Sequence, residues 1–242
     1  MQQTSHWHTL DTADQVALAA YQQIIDAADI AIADHGHFKL VLAGGSTPEK
    51  VYHLLAKANA DWARWFIYYG DERCLPIAHA ERNSLMAETA FLSKVAIPHA
   101  QIFTIPAELG PELGAQHYQQ IVAKALPFDM VLLGMGEDGH TASLFPGHQH
   151  NKNELAHAIY NSPKPPSERV SISTLGLSDT QQLVFLITGK NKQDAVKSWR
   201  LGKDLPVAAI IPKNPVDIYI DKEAYHSESA YYLKIYIINP YH

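Results

Sequence analysis

The chain has 242 residues, 47% of them hydrophobic and 18% charged, enough for one large α/β domain with a sizeable buried core. Acidic residues outnumber lysine and arginine 25 to 19, a formal net charge of -6. That balance argues against a broad surface for nucleic acid or anionic lipid, but a few convergent cations can hold a small phosphate whatever the net charge.

A single cysteine, Cys74, excludes an internal disulfide and fits a reducing compartment. The first residues lack the basic start and apolar run of a signal peptide, and no window approaches about eighteen uninterrupted apolar residues. The expectation is a cytoplasmic protein without a spanning helix.

In chain order, Thr12 and Gln15 resemble a capping box, and Val16, Ala17, Ala20, Tyr21, Ile24, Ile25 and Ala28 follow helical spacing up to a stop at Gly36. A short apolar strand, Phe38 to Ala43, runs into Gly44-Gly45-Ser46-Thr47-Pro48. There Ser46 or Thr47 caps the next helix and Pro48 occupies its first turn. Trp65 to Tyr69 reads as a buried strand. Asn83 is the expected cap of a helix over roughly Ser84 to Lys94, and Pro111 opens a helix with Tyr118, Ile121, Val122 and Ala125 on one face. Phe128 to Leu133 is a third buried strand, followed by the turn Gly134 to His140. Ser162 to Ser167 is a proline-rich loop. Strands are expected at Val170–Thr174, Leu183–Thr188 and Val216–Ile220, with a helix at Lys192–Arg200.

This alternation predicts an α/β fold, a mostly parallel sheet with helices on both faces, in one domain over 1–226. The remaining segment, 227–242, reads either as an extra edge strand or as a poorly packed tail.

In open α/β sheets ligands bind beyond the carboxyl ends of the strands. Three predicted strands end in reactive or glycine-rich residues. Gly44, Gly45, Ser46 and Thr47 form a turn whose helix N-terminus would face an anion. Gly70-Asp71-Glu72-Arg73 offers a carboxylate and a forked cation. In the third, Asp138, Gly139 and His140 close a glycine-dense loop, where the imidazole can take a proton from water as it attacks an ester carbonyl. Either Asp71 or Asp138 is placed to hold the other ring nitrogen, and backbone N–H groups of Gly134–Gly139 are candidate oxyanion donors. Arg169, after the proline loop, and Lys192, near a helix start, are further candidate cations. His6 with His8, and His148 with His150, lack the spacing of a good zinc site, and no G-x-S-x-G elbow is present.

These stretches resemble the 6-phosphogluconolactonase family. The match lies in Leu42–Pro48, Gly70–Pro76, Asn83–Met86, Pro165–Arg169, Thr188–Lys192 and, most specifically, Phe128–Pro146, so that it spans about residues 38 to 225. The resemblance implies a Rossmann-like, glucosamine-6-phosphate deaminase-type fold. It also implies hydrolysis of 6-phospho-D-glucono-1,5-lactone to 6-phosphogluconate in the oxidative pentose phosphate pathway, with no metal, cofactor or obligatory protein partner. By the same resemblance His140 is the general base and Asp71 supports it. Arg73, Arg169 and Lys192 hold the phosphate, and Gly44 to Thr47 line that pocket.

Two alternatives carry different chemistry. Deaminases with the Asp-Gly-His turn place an acid five residues after the histidine, where this chain has Phe145, and a tyrosine where it has Arg73. A non-catalytic sugar-phosphate sensor would need a DNA-binding segment. The stretch before Phe38 is read as one long helix, too short for helix-turn-helix plus linker.

Overall fold

A computed structural model describes residues 3–225, so the segment 227–242 lies outside the described residues. The strands are β1 (Ser5–Leu10), β2 (Phe38–Leu42), β3 (Trp65–Tyr69), β4 (Asp71–Arg73), β5 (Phe128–Gly134), β6 (Ala156–Ile159), β7 (Arg169–Ile172), β8 (Thr180–Ile187) and β9 (Val216–Asp221). The helices are α1 (Ala13–His35), α2 (Ser46–Leu55), α3 (Asn83–Ala90), α4 (Pro111–Ala125), α5 (Thr174–Ser178), α6 (Gln193–Arg200) and α7 (Pro206–Ala209).

Six strands make one sheet in the order β1-β9-β8-β5-β2-β3, every neighbouring pair parallel. Phe128 to Leu133 are all buried, which requires cover on both faces of the central strand and explains their unbroken apolar run. The chain leaves β2 outward to β3 and later sets β5 on the other side of β2. Strand order therefore reverses between β2 and β5, and a crevice opens beyond their carboxyl ends.

Helix α1 is long and apolar enough to cross a bilayer by length and composition. Its buried face, which includes Val16, Ala20, Ile24, Ala28 and Ala31, instead packs against β2, β5, β8 and β9, while Gln22, Asp26 and Asp29 are exposed. Thr12 caps it by accepting from Gln15 N at 3.3 Å, and the Gln15 side chain reaches back to Asp11 N at 2.8 Å. Gly36, at φ +86°, ends it in the left-handed region.

Several expectations are corrected. A strand, β1, precedes α1, where a lone helix was expected. Ser5–Leu10 carries two histidines, a serine and a threonine, and it forms the sheet edge by pairing with β9 more than 200 residues away. Its composition gives no local sign of that partner. The predicted strand at Val170–Thr174 is β7. It belongs not to the parallel sheet but to a small antiparallel one, ordered β4-β7-β6, whose other two strands the sequence did not announce. Val170 and Ile172 nevertheless share one apolar cluster with the main sheet.

Caps differ too. Neither Ser46 nor Thr47 caps α2: the cap position is Gly45, at φ +109°, with no side-chain bond. Asn83 is the first residue of α3 rather than its cap, and α3 ends at Ala90. The capping oxygens come from Glu72 across the chain, whose carboxylate accepts from Asn83 N and Ser84 N, each at 2.8 Å.

Candidate active site

The crevice holds a cavity of about 270 Å³. Four parallel strands deliver its wall: β2 through Gly44 and Gly45, β3 through Gly70, β5 through Gly134 to Gly136, and β8 through the turn that carries Lys192. Two buried tyrosines fix the rim. Tyr52 of α2 both accepts from Ala43 N at 2.9 Å and donates to Ala43 O at 2.7 Å, pinning the end of β2. Tyr118 of α4 does the same at Tyr69, pinning the end of β3.

His140 lines this cavity and is only partly exposed. Its Nδ1 lies 2.5 Å from Asp138 Oδ1, which also accepts the His140 main-chain N–H at 3.1 Å. A carboxylate can only accept, so Nδ1 carries the hydrogen and Nε2 is left as a base. Burial holds the imidazole below its ordinary value of 6.5, against the opposite pull of Asp138 and, at longer range, Asp71. Burial raises Asp138, but hydrogen bonds from His140 outweigh it and leave that carboxyl below its usual value.

The ring seats on bare backbone. A Cβ at Gly136 would stand 2.0 Å from His140 Nδ1 and 2.7 Å from Asp138 Oδ1, so only glycine leaves room for both. Gly136 N donates to His140 O at 2.8 Å and Gly139 N to Gly136 O at 3.0 Å. Those two N–H groups are engaged by the loop itself and do not serve as oxyanion donors. On the other side of His140 the ring meets Phe145, 4.7 Å between centroids.

Asp71 also lines the cavity, but among the described residues no hydrogen bond joins it to His140; the direct partner is Asp138. Asp71 accepts from Ser143 Oγ at 2.5 Å and Asn83 Nδ2 at 3.1 Å, and Arg169 Nη1 is 4.0 Å away. Asp71 is thus the hub of a buried polar network beneath the site.

The cations converge as a set. Strand alternation turns Asp71 and Arg73 toward the cavity and Glu72 away to cap α3. Arg73 and Arg169 are direct cross-strand partners in the antiparallel pair β4–β7. Like charges placed opposite cost roughly 0.2–1 kcal/mol, an arrangement that an anion between them would relieve. Arg73 donates to Glu81 O, while its buried Nε has no protein partner among the described residues.

Arg169 is more committed: Nε donates to Pro166 O, and Nη2 to Lys164 O and Pro165 O, at 2.9–3.2 Å. It is the anchor of the proline loop rather than a cation delivered by it. Burial, more than any neighbouring charge, lowers the pKa values of Arg169 and Lys192. Lys164 completes the set, lining the cavity with an ion pair to Glu137 at 2.8 Å.

Sequence reasoning missed Lys164, Asn83 and Ser143 as parts of the site. It also placed Ser46 and Thr47 there, yet neither lines the cavity. Ser46 is exposed, and the Thr47 hydroxyl pairs with that of Thr188 at 2.6 Å. Gly44 does line it, and its lack of a side chain also serves the protein's own packing. A Cβ there would sit 2.1 Å from Asn83 Oδ1, so the glycine makes room for that side chain.

A parallel α/β sheet with a part-buried histidine and clustered cations at its switch point is the architecture of an enzyme site suited to small anionic substrates. A family model described as glucosamine-6-phosphate isomerases/6-phosphogluconolactonase matches residues 11–219, and the chain belongs to that family. The 6-phosphogluconolactonase of Rattus norvegicus is 35% identical over 204 residues, covering 77% of this chain and 79% of the relative. The 6-phosphogluconolactonase of Synechocystis sp. is 37% identical over 175 residues, covering 69% and 72%. The crystal structure of 6-phosphogluconolactonase from Thermotoga maritima superposes with a TM-score of 0.84 at 26% identity, covering 90% of this chain and all of that one.

Proposed function

We propose that this protein hydrolyses 6-phospho-D-glucono-1,5-lactone to 6-phosphogluconate, with His140 as general base. The observation that carries the reading is the pairing, in one cavity, of an imidazole held through Nδ1 with the cation set of Arg73, Lys164, Arg169 and Lys192.

In this reading Nε2 takes a proton from water as the oxygen attacks the lactone carbonyl. The tetrahedral intermediate then collapses with cleavage of the bond to the ring oxygen, which receives the proton back from the imidazolium. Asp138 stabilises that imidazolium directly, and Asp71 does so through its field while holding Ser143, Asn83 and Arg169 in place. General-base assistance of this kind contributes about 10²–10⁴-fold. The phosphate, gripped chiefly by Arg73, Lys192 and Lys164, supplies orientation. No covalent intermediate is needed, because the lactone is already a reactive ester.

The deaminase alternative lacks an acid at the position five residues after His140. Phe145 there is buried against the imidazole and cannot move a proton. A cytoplasmic site of action is supported by the single cysteine, Cys74, which stands as a free thiol and leaves no internal disulfide to form.

The test is a pH-stat assay on freshly made 6-phosphogluconolactone, with ammonia release from glucosamine 6-phosphate measured in parallel. Rapid proton release above the spontaneous rate, and none of the second activity, is expected. Deamination without lactone opening would overturn the assignment.

A further inference from the structure

The geometry points to a divalent-metal site at the opposite end of the sheet, formed by His35, His37 and Asp129 and suited to zinc. It lies at the amino ends of β2 and β5, so it is separate from the lactonase cavity and does not rest on the function proposed above.

Three elements converge there. His35 is the last residue of α1, Gly36 reverses the chain, and His37 directly precedes β2, while Asp129 is the second residue of β5. The ligand atoms of the three side chains all lie within 4.8 Å of one another. The two Nδ1 atoms are 3.4 Å apart. Two nitrogens bound to one tetrahedral zinc at about 2.0–2.1 Å stand about 3.3–3.4 Å apart, so the histidine pair is already at chelating distance.

Asp129 is buried, and its Oδ2 is fixed by Lys39 N at 2.7 Å, which leaves Oδ1 as the ligand oxygen. Without metal, Oδ1 is 3.0 Å from His35 Nε2. The two contacts use opposite nitrogens of the His35 ring, Nδ1 toward His37 and Nε2 toward Asp129, so bringing all three side chains onto one zinc requires the His35 side chain to rearrange and give up the bond to Oδ1.

The surroundings favour a cation. The carbonyl end of α1 places the negative pole of its dipole at His35. The ammonium of Lys39, beside the cluster, donates to Ala125 O at 2.7 Å and Pro127 O at 3.3 Å. The three residues border an open groove that Asp34 also lines, so the fourth coordination position faces solvent and takes water.

The experiment is a zinc titration of untagged, chelator-stripped protein against a chromophoric zinc chelator, on the full chain and on His37→Ala, His35→Gln and His140→Ala variants. One tight zinc per chain is expected. His140→Ala keeps it, and both other variants weaken it by more than the ten- to hundredfold that loss of a supporting residue around a metal typically costs. Zinc should raise the melting temperature of wild type and not of His37→Ala, by binding only the folded state. Unchanged lactone turnover in His37→Ala and His35→Gln shows that they are folded; if one is not, the other decides. Absence of tight zinc in wild type, equal binding in the folded His35 or His37 variant, or loss in His140→Ala alone would overturn the site.

Discussion

The loop after β5 and the antiparallel pair β4–β7 deliver residues to the same cavity by different physical means. In the loop, the contacts that His140 itself makes lie within five residues. Asp138 takes Nδ1, Gly136 leaves space for the ring, and Gly139, at φ +84°, turns the chain. In the sheet pair, Arg73 and Arg169 meet only because strands almost 100 residues apart find one register, and Asp71 is tied to Ser143 across a separation of 72 residues. Local geometry makes the base, and tertiary pairing makes the anion site. Perturbing the first should therefore change the chemical step, and perturbing the second should change substrate selection.

The largest expected effect is on the base. His140→Ala should lower lactonase kcat by about 10²–10⁴-fold while the protein still binds 6-phosphogluconate, as calorimetry would read. Near-normal turnover would remove the histidine from the mechanism. Asp138→Asn comes next, at about 10²-fold within the same range, because an amide can donate to Nδ1 and so place the hydrogen on Nε2. Gly136→Ala should give a folded protein with kcat reduced to a similar degree, since a Cβ 2.0 Å from Nδ1 must displace the ring. If Gly136→Ala raised only KM, the division between loop and sheet would fail.

Arg73→Ala is the matching break in the sheet. Loss of a charged hydrogen bond costs about 1.5–3 kcal/mol, or roughly 10–150-fold at 1.4 kcal/mol per decade. The loss should appear in kcat/KM for the phosphorylated lactone and hardly at all for plain gluconolactone. An unchanged preference between the two would exclude Arg73 from the phosphate site.

These two regions also differ in how legible they were. The glycine-dense turn and its histidine could be read directly, because the residues that fix the base are sequence neighbours whose chemistry is visible in a line of text. The buried runs of β2, β3 and β5 were readable for a similar reason: continuous apolar composition marks a strand covered on both faces. The cation set was legible only as separate residues. Nothing local states that Arg73 faces Arg169, that Arg169 is held by three carbonyls of the proline loop, or that Lys164 turns inward beside it. Asn83 looked like a helix cap because asparagine is good at capping. Its real place, in the gap left by Gly44, depends on Glu72 having taken the cap role first. Edge strand β1 was hidden because its polar alternation matches loops as well as strands.

A pH profile sharpens the comparison with a smaller effect. Burial holds His140 below 6.5, and the base works only when neutral, so kcat/KM should stay flat through neutral pH and fall on the acid side with a midpoint below 6.5. Asp138 pulls that midpoint upward. Any residual activity of Asp138→Asn should therefore persist to lower pH than in wild type, and an upward shift would contradict the electrostatic role given to Asp138. Arg73→Ala, acting on substrate selection, should leave the midpoint near its wild-type position.

The smallest effect concerns the turn after β2. Ser46 is exposed and makes no capping bond, so whatever α2 offers an anion comes from its main-chain N–H groups and the positive end of its dipole. Ser46→Ala should change kcat/KM less than twofold and stability within about 0.5 kcal/mol, the usual range for a surface substitution. Thr12→Ala, which removes a true cap on α1, should cost about 0.5–2 kcal/mol in denaturant unfolding. If Ser46→Ala instead lost discrimination for the phosphorylated lactone, the anion site would extend from the β4–β7 pair onto α2, and side chains of a local turn would share what is here given to tertiary pairing alone.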